Sequence, residues 1–94
     1  MNVEVKFFTS LREITGKKVD KVQLQTAITV EALLILLSGR YGTEFREYVY
    51  NKEGKVQGFL SILVNGKNIN ALQGFSTELK EGDVVAILPP VGGG

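Results

Sequence analysis

The chain has 94 residues, of which 44% are hydrophobic, and 11 basic side chains against 10 acidic ones give it a formal net charge of +1. This length and hydrophobic content predict a single domain with its own core. The near balance of interspersed charges argues against a dedicated nucleic-acid surface, which needs a basic patch. Cysteine and histidine are both absent, which excludes disulfides, zinc fingers, a thiol nucleophile and an imidazole base.

No targeting or membrane segment is predicted. The first residues, Met1–Lys6, lack the long apolar run and charged start of a secretion signal. The longest apolar run, Ala32–Leu37, is far too short to span a bilayer. We therefore expect a soluble cytoplasmic protein.

Two strands are predicted at the start of the chain. Apolar residues alternate with Glu4 and Lys6, which is the period of a strand with one buried face; these are Val3, Val5 and Phe7. By the same alternation Phe8 lies on the opposite face. Residues 16–18 indicate a hairpin turn, and 19–25 a second strand with Val22 and Leu24 facing inward. Together they predict an antiparallel hairpin.

A strongly apolar helix follows. Thr29 is a good N-cap, Glu31 suits the first turn, and Gly42 is a suitable stop. The apolar positions at helical spacing are Val30, Leu33, Leu34, Leu37 and Tyr41. So apolar a helix must pack on a sheet. Residues 43–50 predict a second, short helix, with a strand as the alternative.

The second half of the chain is predicted to be mostly strand. Residues 51–55 are a polar loop, 59–64 a strand, and Asn65-Gly66 the strongest hairpin-turn signal in the chain. Residues 67–71 return as a short strand, and 77–83 turn into the last strand. We expect that strand to pair beside the first, across the middle of the sheet. The fold class is therefore α+β: a mixed sheet of four or five strands with one main helix on one face.

The sequence finishes on three glycines, Gly92–Gly94, after a stem formed by Pro89, Pro90 and Val91. Glycine lacks Cβ, so such a tip can enter a channel too narrow for other residues. Its reactive group is the α-carboxylate of Gly94. We therefore expect a folded domain over residues 1–88 and a functional tail over 89–94.

Four stretches, in this order, resemble the β-grasp, ubiquitin-like sulfur carriers, and most of all the small subunits of molybdopterin synthase. Together they span the whole chain. The stretches are Phe7-Phe8 with Leu11–Gly16, Thr29–Leu33, Val64–Gly66, and Leu79–Val91 with the glycine end.

The resemblance implies a carrier cycle. A partner enzyme adenylates the Gly94 carboxylate with ATP and Mg²⁺, and sulfur then replaces AMP to leave a C-terminal thiocarboxylate. A large synthase subunit uses that sulfur to build the dithiolene of molybdopterin, in an expected heterotetramer of two small and two large subunits. The chain itself then needs no stably bound cofactor or metal and no catalytic side chain.

The resemblance also implies which residues meet a partner. The tail residues that enter the partner's active site are Pro89, Pro90, Val91, Gly92 and Gly93. The residues expected to face the large subunit are Phe8, Asn68 or Ile69, and Leu88, and Leu63 is expected to join them. An exposed apolar patch of this kind on the sheet face away from the helix usually marks an interface.

The sequence departs from the family in two places and leaves other functions open. Gly92 replaces the different small residue that usually precedes the final Gly-Gly, and the 51–58 loop is longer than in the most compact members. A ubiquitin-like modifier, joined through Gly94 to lysines of other proteins, is the main alternative. The thiamine-pathway carriers are typically shorter and lack the Pro-Pro-Val stem, and a plain interaction domain would leave the tail unused.

Overall fold

A mixed sheet forms one layer of the molecule and helices form the other. The structure is a computed structural model that describes residues 1–90. Within these residues the strands are Asn2–Phe7 (β1), Val19–Gln23 (β2), Ser61–Val64 (β3), Lys67–Asn68 (β4) and Val84–Leu88 (β5). The α-helices are Thr9–Thr15 (α1), Val30–Tyr41 (α2) and Thr43–Val49 (α3), and two 3-10 turns cover Ile69–Ala71 and Gly74–Ser76.

The last strand lies in the middle of the sheet. The strand order is β2-β1-β5-β3-β4, and β5 runs parallel to β1 and antiparallel to β3. Phe7 at the end of β1 lies opposite Ile87 near the end of β5. This confirms the predicted mixed sheet with the first and last strands paired. The ends of β1 and β5 and the start of β3 therefore share one end of the sheet, which we call the exit end.

The core lies between the helices and one face of the sheet. Strand alternation turns Val3, Val5 and Phe7 inward, where each is at most 1% exposed. Helix α2 covers them with its apolar side, namely Val30, Leu33, Leu34 and Leu37. Fully burying each such side chain contributes about 1.5–3 kcal/mol. The ring of Phe45, on α3, packs edge-on against that of Phe7, with centroids 6.3 Å apart.

The connection between β1 and β2 differs from the prediction. β1 and β2 pair antiparallel as predicted. The predicted hairpin turn at residues 16–18 does not join them directly, because the short helix α1 precedes it and Gly16, at φ 74°, ends that helix. Phe8 does not continue the strand but caps α1 in an extended conformation. A helix of one or two turns carries too few apolar positions to show a helical period. Its inward residue Leu11 is nevertheless fully buried.

Other boundaries agree more closely. The hydroxyl of Thr29 accepts a hydrogen bond from the Ala32 N–H at 3.2 Å, which confirms the predicted N-cap of α2. Asn65 and Gly66 have φ angles of 51° and 82°, as a two-residue hairpin turn requires. The strand alternative for residues 43–50 is wrong, since α3 is helical. The predicted strand at 67–71 stops at Asn68, where a 3-10 turn begins.

A buried acidic residue ties β2 to the end of α2. Asp20 is only 3% exposed, and both its carboxylate oxygens accept from Nη1 of Arg40, at 3.0 and 2.9 Å. The Tyr41 hydroxyl donates to Asp20 Oδ2. Burial and this hydrogen bond raise the pKa of Tyr41 above that of a free tyrosine. The Tyr41 hydroxyl therefore stays protonated and continues to donate its hydrogen bond to Asp20.

Replacing Asp20 should destabilise the fold without touching its apolar core. In Asp20→Ala the Tyr41 hydroxyl loses its acceptor and Arg40 its carboxylate, so we expect the free energy of unfolding to fall by about 2–3 kcal/mol. Arg40 is 40% exposed and regains water, which keeps the loss below that of a fully buried pair. Urea unfolding measures it, with Glu53→Ala, an exposed loop carboxylate, as control. Equal losses in the two variants would contradict the assigned role of Asp20.

Candidate protein-docking face and tail exit

The sheet face away from the helices carries an apolar strip on its two central strands. In β5, Val84, Ala86 and Leu88 alternate with the buried Val85 and Ile87 and are half-buried. Leu63 of β3 lies opposite Ala86 in the register. Val84, Ala86, Leu88 and Leu63 are called the open face from here on. Apolar side chains grouped on one sheet surface are typical of a protein-docking site.

Charged side chains of β1 and β2 flank the open face. Across β1, Glu4 lies opposite Val84 and Lys6 opposite Ala86. Lys21 of β2 continues the row beyond Glu4. An apolar centre beside a polar margin has the anatomy of a protein–protein interface.

Phe8 and Leu88 lie together at the exit end. Phe8 follows Phe7, and Leu88 follows Ile87, which pairs with Phe7 in the register. The Arg12 guanidinium lies 5.8 Å from the centroid of the Phe8 ring, and its Nε donates to the Phe7 carbonyl oxygen at 3.4 Å. Phe8 is thus half-buried and held beside the point where the chain leaves β5.

The structure distinguishes Pro89 from Pro90, which are both predicted to belong to the tail. Pro89 is buried and Pro90 is exposed. Pro89, the residue directly after β5, is therefore packed into the folded body, and the boundary between body and tail stays a prediction. The remaining predicted tail residues, Val91, Gly92, Gly93 and Gly94, lie outside the described residues, so their roles stay predictions.

The structure also separates Asn68 from Ile69. Asn68 is half-buried and lies opposite Leu63, beside the open face. Ile69 is 3% exposed and belongs to the core, so its predicted position on the open face is wrong. The Asn68 side chain accepts from the Asn70 N–H at 2.8 Å and starts a 3-10 turn that swings Ile69 inward.

Sequence reasoning missed two members of the open face, Val84 and Ala86. Both lie in the apolar run at 84–88, of which only Leu88 was predicted to face a partner. Their alternation with Val85 and Ile87 was the available signal, since a central strand with helices on one side must turn every second residue to the other side.

Other kinds of site have little support in residues 1–90. This part of the chain contains no group of three or more acidic side chains placed to hold a metal ion. No helix within it has the length and apolarity needed to cross a membrane. The open face is the candidate site that the described residues offer.

These features are those of a β-grasp protein with an apolar sheet face beside the start of its C-terminal segment. Residues 5–94 match the ThiS family, and the chain belongs to that family of ubiquitin-like sulfur carriers.

Three curated relatives span the full length of the chain. It is 32% identical over 94 residues to small archaeal modifier protein 3 of Haloferax volcanii, covering 100% of both proteins. It is 34% identical over 97 residues to the molybdopterin synthase sulfur carrier subunit of Drosophila yakuba, covering 100% of the chain and 92% of that protein. It is 35% identical over 95 residues to the sulfur carrier protein CysO of Mycobacterium bovis, covering 100% of both.

Solved structures agree with the fold. The small archaeal modifier protein 1 of Haloferax volcanii superposes with a TM-score of 0.87 at 26% identity, covering 100% of both chains. A chain of the BexX/CysO complex of Amycolatopsis orientalis superposes with a TM-score of 0.74 at 31% identity, covering 98% of this chain and 99% of that one. The β-grasp fold expected from the sequence is thereby confirmed.

Proposed function

We propose that this chain carries sulfur as a thiocarboxylate on Gly94 and serves as the small subunit of molybdopterin synthase. The observation that carries the proposal is the position of the open face, with Leu63, Ala86 and Leu88, directly beside the root of the tail at Pro90. One partner can then hold the body and receive the tail at the same time. The full-length relative from Drosophila yakuba, named as such a subunit, supports this assignment.

The chemistry needs an activating partner. A carboxylate is a poor electrophile, so a Gly94 oxygen first attacks the α-phosphorus of Mg²⁺-bound ATP, and pyrophosphate leaves. A donor at the oxidation level of sulfide then attacks the carbonyl carbon of the acyl adenylate, and AMP leaves with its bridging oxygen. The result is a thiocarboxylate in which one sulfur has replaced one oxygen. This loading takes place in the cytoplasm, where ATP is available.

The body of the chain contributes binding rather than chemistry. Docking through the open face makes delivery of the tail effectively intramolecular, which greatly raises the local concentration of the reacting carboxylate. Pro90 fixes its own φ angle and so reduces the entropy lost when the tail is ordered. In the proposed synthase, two such chains bind two large subunits, each tail entering one active site.

Loading followed by transfer tests the proposal. Incubation with an E1-like activating enzyme, ATP, Mg²⁺ and a sulfur donor should raise the intact mass by the difference between sulfur and oxygen. Adding a large synthase subunit and the sulfur-free pterin precursor should return the mass to its starting value and yield the dithiolene product. A loaded chain that never delivers sulfur to the large subunit would contradict the synthase assignment but leave the carrier role standing.

A ubiquitin-like modifier is the second candidate. The full-length relative from Haloferax volcanii is named a modifier, and conjugation would begin with the same adenylate. The nucleophile would then be a lysine amine, which gives an isopeptide bond in place of a thiocarboxylate. Proteomic detection of lysines joined to the C-terminal tryptic peptide of this chain, residues 81–94, would favour this role if these adducts disappear when the gene for this chain is deleted.

A further inference from the structure

An aromatic pair lies at the exit end, on the helix side of the tail root. The rings of Tyr48 and Phe59 meet edge to face, with centroids 5.7 Å apart. Phe59 is 45% exposed, while Tyr48 is half-buried and packs against the core. Neither residue belongs to the open face. Exposed aromatic rings that neighbouring residues hold in place are frequent contact points in protein interfaces.

The register places this pair beside the tail. Ser61 pairs with Leu88, so Phe59, two residues before Ser61, and Pro90, two residues after Leu88, reach the same end of the sheet. Tyr48 lies on α3, the helix whose Phe45 packs on Phe7 at the end of β1.

The segment that carries Phe59 is anchored. The Gln57 N–H donates to the Val49 carbonyl at 2.8 Å, and the Leu60 N–H donates to the Gln57 carbonyl at 3.2 Å. Tyr50 and Val56 form an isolated β-bridge that closes the loop before it. Phe59 is therefore held in position before any partner arrives, so binding through it loses little conformational entropy.

The length of the tail limits the distance between the aromatic pair and the active site of an enzyme that binds the Gly94 carboxylate. Residues 91–94 span at most about 3.6 Å each, so the Gly94 carboxylate lies within roughly 14 Å of Pro90. An interface of standard size buries about 800 Å² on each partner, which is a patch of roughly 16 Å radius. The body measures 35 × 27 × 25 Å. An enzyme that reaches the carboxylate from the open face is therefore close enough to contact the other side of the exit end as well.

We propose that Tyr48 and Phe59 form a second docking contact, which receives an apolar surface on the enzyme that activates the Gly94 carboxylate. The inference rests on the proposed function, because it takes Gly94 as the reacting residue. The enzyme would then contact the open face on one side of the tail root and the aromatic pair on the other side. The pair acts in binding and takes no part in the chemistry.

Steady-state kinetics of loading test the inference, with the activating enzyme that loads the wild-type chain. Phe59→Ser should raise the KM for this chain about tenfold at unchanged kcat, because it removes a contact made equally before and during the reaction. Ile35→Ser is the matched control: Ile35 is 63% exposed on the middle of α2, so its loss should leave KM unchanged. Phe59→Leu keeps an apolar side chain at this position, so its KM should stay close to the wild-type value.

The outcomes separate the inference from the proposed function. Equal KM values for the wild-type, Phe59→Ser and Ile35→Ser chains overturn the second contact and leave the carrier role intact. Failure of the wild-type chain to be loaded, by an enzyme shown to load another carrier, overturns the proposed function and the second contact with it. Thermal unfolding of each variant checks that the substitution leaves the chain folded.

Discussion

Deleting Gly93 and Gly94 should abolish sulfur loading while leaving the folded body unchanged. The truncated chain ends on Gly92, so its carboxylate stops two residues short, about 7 Å when extended. A displacement of 1 Å can already cost about a hundredfold in a positioned reaction, so we expect loading to fall by at least a thousandfold. Intact-mass measurement after incubation with the activating enzyme, ATP and sulfur donor gives the result.

The free energy of unfolding is the control for this deletion. The buried core extends no further along the chain than Pro89 within the described residues 1–90, so the truncated and full chains should unfold at the same urea concentration. Loss of loading with unchanged stability assigns the effect to the tail. A truncated chain that is loaded at the normal rate would show that neither glycine carries the reaction.

Leu88→Arg should strongly weaken binding to the large synthase subunit while the free chain stays folded. Leu88 is half-buried at the exit end of the open face, and an arginine there can direct its charge into water in the free chain. In the complex the same charge would be buried against an apolar partner without a counter-charge. We expect the dissociation constant to rise by at least about thirtyfold, which is about 2 kcal/mol.

Gln23→Arg is the matched control for Leu88→Arg. Gln23 is exposed on β2 and lies opposite Asn2 at the far end of the same sheet surface. The Gln23→Arg substitution adds the same charge and leaves the open face intact. The dissociation constant measured by calorimetry should therefore change by less than about threefold. If both arginines weaken binding equally, the effect comes from net charge and the open face is not the docking site. Unfolding of Leu88→Arg alone would show that its side chain belongs to the core.

The alternation of apolar and polar residues predicted the central strands of the sheet. The alternation of Val3, Val5 and Phe7 fixed which residues of β1 face the helices, and the dense apolar run at 84–88 indicated a strand with neighbours on both sides. The same alternation implies a second apolar surface on β5. Residue patterns therefore predicted much of the core, whereas of the open face only Leu63 and Leu88 were predicted.

Elements that depend on tertiary contacts were harder to predict. Helix α1 is too short to show a period, and only the burial of Leu11 against the body explains why it forms. Ile69 looked like a strand residue, but the turn begun by the Asn68 side chain sends it into the core. Pro89 looked like part of a free stem, yet it is buried with the end of β5.

Side-chain pairs distant in sequence left no local signal. Asp20 occupies an inward position of β2 that would normally be apolar, and its partners Arg40 and Tyr41 follow some twenty residues later. The contact between Tyr48 and Phe59 depends in the same way on how the 51–58 loop returns to the sheet. Residue spacing does not encode such contacts, because they arise only when separate elements pack together.

The most direct test is the position of the sulfur after loading. Proteolysis of the loaded chain, followed by mass spectrometry of the fragments, should find the exchange of one oxygen for one sulfur only in the fragment that ends at Gly94, and iodoacetamide should alkylate that fragment. A C-terminal fragment of unchanged mass, from a preparation in which the activating enzyme loads a known carrier, would contradict the proposed function.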